Sequence, residues 1–192
     1  MNKKRILVLI SSIVIIVIVI VIVGQFYPIA FVSWQPISLK SFKADYATAI
    51  FYYQRLLETY DRNQVPVIES SEVQQEIRRA VLDKLIENTL IHQELESRLK
   101  NNELKKMVEN KIEESLKGKD IEKEVKTLYN LSLKEFKERI LKPQAEEEIL
   151  NSRLLLENKN FDDYIKEVKS KTKVIILLPD FEWKNGQVTI KK

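Results

Sequence analysis

His92 is the only imidazole this 192-residue chain could bring to acid–base or metal chemistry, and no cysteine accompanies it. A general base or a metal ligand needs converging partners, and one histidine among scattered carboxylates lacks them. His92 also lies between Ile91 and Gln93 in the long helical segment with its apolar repeat, which predicts a helix-boundary side chain with no catalytic role. Ser70 and Ser71 have no base to activate them and read as helix caps. The run Glu146-Glu147-Glu148 suggests an acid pair or a cation site at first sight. Consecutive helical residues point about 100° apart, however, so the three carboxylates diverge and predict a solvated face. The lysines of 117–126 alternate with Asp120, Glu122 and Glu124 and predict the same. Three glycines cannot build a phosphate-cradling loop, and the missing thiols exclude disulfides and zinc–thiolate sites. No catalytic residue, metal site or cofactor is expected, and so no enzyme.

Apolar contact is the chemistry that remains. Phe42, Tyr46, Ala49, Tyr53, Leu56 and Tyr60 recur every three or four residues, as on one helix face. Phe51 and Tyr52 add aromatic rings on other faces, more than one buried stripe needs. Aromatic side chains offer large, sequence-tolerant contact area, so the stripe suits a groove for another polypeptide. A second wall would come from the long helix that follows. The candidate peptide-binding residues are Phe42, Tyr46, Tyr53, Leu85, Ile86 and Leu90.

The elements that must position them read as mainly α, with short strands from both ends of the domain. Residues 29–34 predict a strand stopped by Pro36. Ser38 or Ser41 caps a first helix running to about Asp61. Ser71 and Gln74 form a capping box for a long helix to about Leu99. Val73, Ile77, Val81, Leu85 and Leu95 share one face, which Leu82, Ile86 and Leu90 widen. A third helix spans 101–116, with Leu104, Met107 or Val108, Ile112 and Leu116 inward, and ends at Gly118. Asp120 caps a shorter helix through Tyr129, with Ile121, Val125 and Leu128 inward. Ser132 and Glu135 make a second capping box, Pro143 ends or kinks that helix, and it resumes to about Glu157. Asn160 caps a helix over 161–168. The apolar run 174–178 predicts a buried strand, and 181–190 a hairpin around Asn185-Gly186. The strands near 32 and 176 are too short to stand alone and should pair.

Residues 6–23 carry no charge and follow Lys3-Lys4-Arg5. At about 1.5 Å per residue the run reaches roughly 27 Å, close to the ~30 Å hydrocarbon core of a bilayer. In lipid a lone segment must satisfy its own backbone, which predicts a transmembrane helix. The cations before it predict a cytoplasmic N-terminus, with residues 25–192 as an extracytoplasmic domain after a tip and anchor at 1–24. The run exceeds a signal core of roughly 7 to 15 residues, and no small-x-small site follows it, so an uncleaved anchor is expected. The net charge of +4 invites a nucleic-acid reading. Taking Lys3, Lys4 and Arg5 from the 32 basic residues leaves 29 against 28 acids, interspersed, so no basic patch for phosphates is expected.

Three segments in order resemble the N-terminal, peptide-binding domain of the SurA/PrsA-type chaperones, a family related to the peptide-binding part of trigger factor. They are Val32-Ser33-Trp34-Gln35-Pro36-Ile37-Ser38 leading into Phe42, the long helix at 77–94, and the turn and helix at 128–140. Two departures stand out. Ser33-Trp34-Gln35 replaces the family's Asn-Gly-Glu turn. No room exists between Glu157 and Phe161 for the parvulin prolyl-isomerase domain that members often carry. The resemblance implies a membrane-anchored, non-catalytic domain binding unfolded or exported polypeptides. The alternative is a tethered docking module for one folded partner.

Overall fold

The computed structural model describes residues 27–60 and 65–191. The apolar run at 6–23, and with it the expected membrane span, lies outside them. Among the described residues no helix is long and apolar enough to cross a membrane. They fold as a mainly helical domain with a few short strands.

Strands β1 (Pro28–Val32) and β2 (Gln35–Ser38) form an antiparallel hairpin, with Phe31 opposite Pro36 and Val32 opposite Gln35. The single strand expected over 29–34 therefore ends early. Ser33 and Trp34 make the turn, at φ 46° and 77°, the positive values that a primed two-residue hairpin turn needs. Pro36 does not stop the sheet; it sits inside β2. The strand order is β2-β1-β3, and an edge strand tolerates a residue with no N–H. Strand β3 (Val174–Ile176) pairs with β1, Val32 opposite Val174 and Ala30 opposite Ile176, so the two ends of the domain meet as expected. The run from 174 is not buried throughout, however. Val174 and Ile176 turn inward while Ile175 and Leu177 are exposed, because this sheet packs on the core with one face only. Strands β4 (Phe181–Lys184) and β5 (Gln187–Ile190) form the expected hairpin around Asn185-Gly186, both at positive φ.

Helix α1 (Leu39–Tyr60) starts where Ser38 Oγ accepts the Ser41 N–H at 3.1 Å. After a single helical turn, α2 (Val65–Ile68), comes the central helix α3 (Ser71–Arg98). Its cap is Ser70, whose Oγ accepts the Val73 N–H; the N-cap thus lies one residue before the expected Ser71, and the Ser71–Gln74 box does not form. Helix α4 (Asn101–Leu116) buries Leu104 and Val108. Helix α5 (Glu122–Tyr129) follows Ile121, with no side-chain cap from Asp120, and Leu128 is exposed rather than inward. The second capping box forms in full, Ser132 and Glu135 each bonding the other's backbone at the start of α6 (Leu133–Phe136). Pro143 does not end this helix. A π-helical turn (Lys137–Leu141) carries it into α7 (Lys142–Leu156), with Lys142 N–H donating to the Lys137 carbonyl. Pro143 then falls in the first turn of α7, where its missing N–H does little harm. Helix α8 (Phe161–Lys171) is capped by Asn160 and runs past the expected end at Val168.

Two apolar cores share α3. Its first half buries Leu82, Ile86 and Leu90 against Ile29, Ala30, Val32, Ile37, Phe42, Phe181 and Val188. Its second half buries Ile91 and Leu95 against α4, α7 and α8, including Leu104, Ile149, Leu150, Leu154 and Ile165. A small satellite of Val125, Leu131 and Phe136 holds α5 to α6. Among the described residues the β4–β5 hairpin pairs with no other strand; it docks on α3 through buried Phe181 and Val188 and through polar groups. Asp83 accepts the Val188 N–H at 2.9 Å, and Arg79 donates to the Val188 carbonyl at 3.1 Å. Buried backbone groups need partners, and here a helix supplies them.

Candidate functional site

Helix α1 follows the core for only its first turns. Phe42 is buried, and Tyr46 stacks on it at 6.4 Å between ring centres, half-buried. Further along, the aromatic stripe leaves the core, until Tyr53 is 46% and Tyr60 82% exposed. The stripe expected to line a groove is thus core at Phe42 and open only further along. Between α1 and α3 it leaves an apolar cleft in two adjoining parts.

The first part, about 240 Å³, is lined by Ala49, Tyr52, Tyr53, Val81, Leu85, Tyr129 and Ile140, with Asp45, Thr48, Lys84, Asn88 and Arg139 at its margin. The second, about 390 Å³, shares Ala49, Tyr53, Val81 and Lys84 and adds Ile77, Ala80 and Glu76. An aromatic ladder holds the wall. Tyr52 stacks on Tyr129 at 5.2 Å with the planes 8° apart, and Tyr129 meets Phe136 at 5.2 Å. Burial pushes the Tyr129 hydroxyl above the usual tyrosine range, as an apolar wall should. Ala49 and Ala80 face this space with small side chains, so neither fills it.

A polar cavity of about 590 Å³ meets the apolar one at Asp45, Leu85, Asn88 and Arg139. Arg139, on the π-helical turn, reaches α1 there, donating to Asp45 Oδ1 at 2.8 Å and Thr48 Oγ1 at 3.0 Å. Burial raises the Asp45 carboxyl above its ordinary value even against the Arg139 guanidinium. Asn88 Oδ1 is buried at this junction with no hydrogen-bond partner among the described residues.

His92 lines the polar cavity from the body of α3, not from a helix boundary. Its Nδ1 lies 3.0 Å from Glu146 Oε1 and its Nε2 3.4 Å from Glu96 Oε1. Glu146 is 4% exposed, which corrects the solvated face expected of the glutamate run at that position, whereas Glu148 is exposed as expected. The three carboxylates do diverge, and each meets a different neighbour of α7, the outer two in exposed ion pairs worth little. Glu146 meets His92, Glu147 meets Lys84, and Glu148 meets Lys111. The Glu146 hydrogen bond raises the His92 pKa above 6.5, against partial desolvation. A raised folded-state value means that this pair stabilises the fold fully below the unfolded pKa near 6.5 and ceases to as pH rises through the folded one. The only imidazole resonance of the chain should therefore titrate above 6.5 by proton NMR, and Glu146→Gln should move it down; an unchanged midpoint would refute the pairing. Among the described residues no group of three or more His, Asp or Glu could hold a metal ion.

Of the residues expected to form a peptide surface, Tyr53 and Leu85 line the cleft. Phe42, Ile86 and Leu90 belong to the core, and Tyr46 packs on Phe42. The cleft adds Ala49, Tyr52, Val81, Tyr129 and Ile140. Spacing could have found part of this set, since 49, 52 and 53, like 77, 80, 81, 84, 85 and 88, recur at helical intervals. No family model, no curated protein and no solved structure matches the chain.

Proposed function

We propose that this chain is a membrane-tethered holder of unfolded, exported polypeptides, gripping apolar segments in the cleft between α1 and α3 without catalysis. The observation that carries this reading is an open, aromatic-walled cleft beside a filled core. Tyr52, Tyr53 and Tyr129 present ring faces that accept many side chains, while Val81 and Leu85 supply aliphatic floor. The order of hairpin, first helix and long central helix is in keeping with the SurA/PrsA-type resemblance. The uncharged run at 6–23 would hold the cleft outside the cytoplasm, where exported chains emerge. Prolyl isomerisation is not proposed: α8 starts four residues after Glu157, too close for a parvulin domain.

One observation favours the rival reading, a docking module for a single folded partner. Leu155 and Leu156 are 63% and 87% exposed at the end of α7. Two measurements on the full chain in detergent or vesicles, and a third in cells, separate the readings. A holder delays aggregation of a chemically unfolded client and binds labelled peptides rich in aromatics, and in-cell crosslinking returns many clients. Failure to delay aggregation together with failure to bind any apolar peptide sinks it, and crosslinking to one stoichiometric protein points to docking.

A further inference from the structure

We infer that the outer face of the β2-β1-β3 sheet lies flat on the bilayer surface. This rests on the tether proposed above. Register puts Phe31, Pro36 and Ile175 side by side on one face, while Ala30, Val32 and Ile37 on the other are buried. Leu177 continues the outer row, its N–H donating to the Ile29 carbonyl at 2.8 Å so that the chain still runs beside β1. Ile175 is 39% and Leu177 44% exposed. An exposed aromatic closes each end of the sheet: Tyr27, before β1, and Trp34, at the hairpin tip, 79% exposed. Single exposed apolar residues are ordinary, but a row on one sheet face with aromatics at both ends is the pattern of an interface.

The occupant follows from where the chain comes from. Strand β1 begins at Pro28, four residues after Gly24 closes the apolar run, a reach of at most about 14 Å. Tyrosine and tryptophan are the residues that settle at the headgroup level. A sheet standing on its Tyr27 end would lift Trp34 roughly a strand length, about 17 Å, away from lipid and leave its exposure without use. Lying flat brings both rings down together. The surrounding charge agrees. Residues 1–44 and 168–179 contain no Asp or Glu, and the Lys173 ammonium sits 5.6 Å over the Trp34 ring, placed for anionic headgroups.

Trp34 reports on this directly. The full chain carrying Trp183→Phe is reconstituted into phosphatidylcholine–phosphatidylglycerol vesicles with brominated acyl chains. Trp34 emission should shift to the blue, be quenched by the bromines and resist aqueous iodide, and Ile175→Glu should reverse all three. In the chain that keeps Trp183, Trp34→Phe should remove the lipid-quenched fraction, which covers a Trp183 variant that folds poorly. A chain that floats with the vesicles while Trp34 stays open to iodide overturns the inference and leaves the tether standing. So does a Trp34 shielded from both quenchers, because a protein would then cover the face. A chain that fails to float overturns the tether and the inference together.

Discussion

Ile86→Ala should lower the unfolding free energy of the chain by about 2–5 kcal/mol, the range for deleting a fully buried aliphatic side chain. Ile86 is 0% exposed and stands where the strands from both ends of the domain meet the central helix, in one cluster with Ile29, Val32, Phe181 and Val188. Two docked hairpins and a long helix frame the site, so it has little freedom to collapse around the missing atoms. Against a typical total of about 5–15 kcal/mol, that loss is a large fraction. Urea unfolding of the full chain in mild detergent should show a lower midpoint with an unchanged slope. Tyr60→Ala, at a position 82% exposed, should move the same midpoint by less than about 0.5 kcal/mol. A loss at Ile86 under about 1 kcal/mol would mean that this cluster is not the centre of the fold.

Much of the fold was legible wherever local chemistry decides it. Asn185-Gly186 makes its hairpin because both residues accept positive φ, and Ser132 and Glu135 cap α6 because the partners lie three residues apart. Pairing of the strands near 32 and 176 was legible because neither could stand alone. Harder were the features settled by distant partners. Ser33 and Trp34 have none of the residue types that favour their turn; β1 and β2, held by the core below, impose it. Helix α3 is apolar on two adjoining faces, so periodicity could not say whether Leu82-Ile86-Leu90 or Ile77-Val81-Leu85 faces inward. The contact with β1 and β5 decides for the first, and the second becomes the wall of the cleft. Glu146 looked solvated because its partner His92 is 54 residues away in the chain.

The same ambiguity explains which part of the candidate site was visible. A stripe of aromatics on α1 announces apolar contact, but not whether the contact is internal. Only the splay of α1 from the core separates Phe42, a core residue, from Tyr53, a cleft residue. Tyr129 was hidden for a further reason. It comes from α5, a short helix whose position depends on the small cluster of Val125, Leu131 and Phe136 and on ring stacking with Tyr52.

Ala49→Trp should weaken binding of an aromatic-rich peptide by about 10- to 100-fold, the equivalent of about 1.5–3 kcal/mol of lost apolar burial. Ala49 faces both parts of the cleft beside Tyr53 and Val81, so an indole there occupies the space that a client side chain would use. The substitution deletes no contact. It adds volume to an open cleft rather than to a packed core, so overpacking strain does not arise, and its helix-propensity cost is about half a kcal/mol. Unfolding measurements should thus stay close to the parent while affinity, read by fluorescence anisotropy, falls. Because the contact is apolar, the parent affinity should change little between low and moderate salt, unlike binding steered by charge. The plug also discriminates between surfaces. A variant that keeps the parent's stability and still binds peptide as tightly would place the client outside the α1–α3 cleft, and the exposed Leu155 and Leu156 at the end of α7 would then be the surface to test.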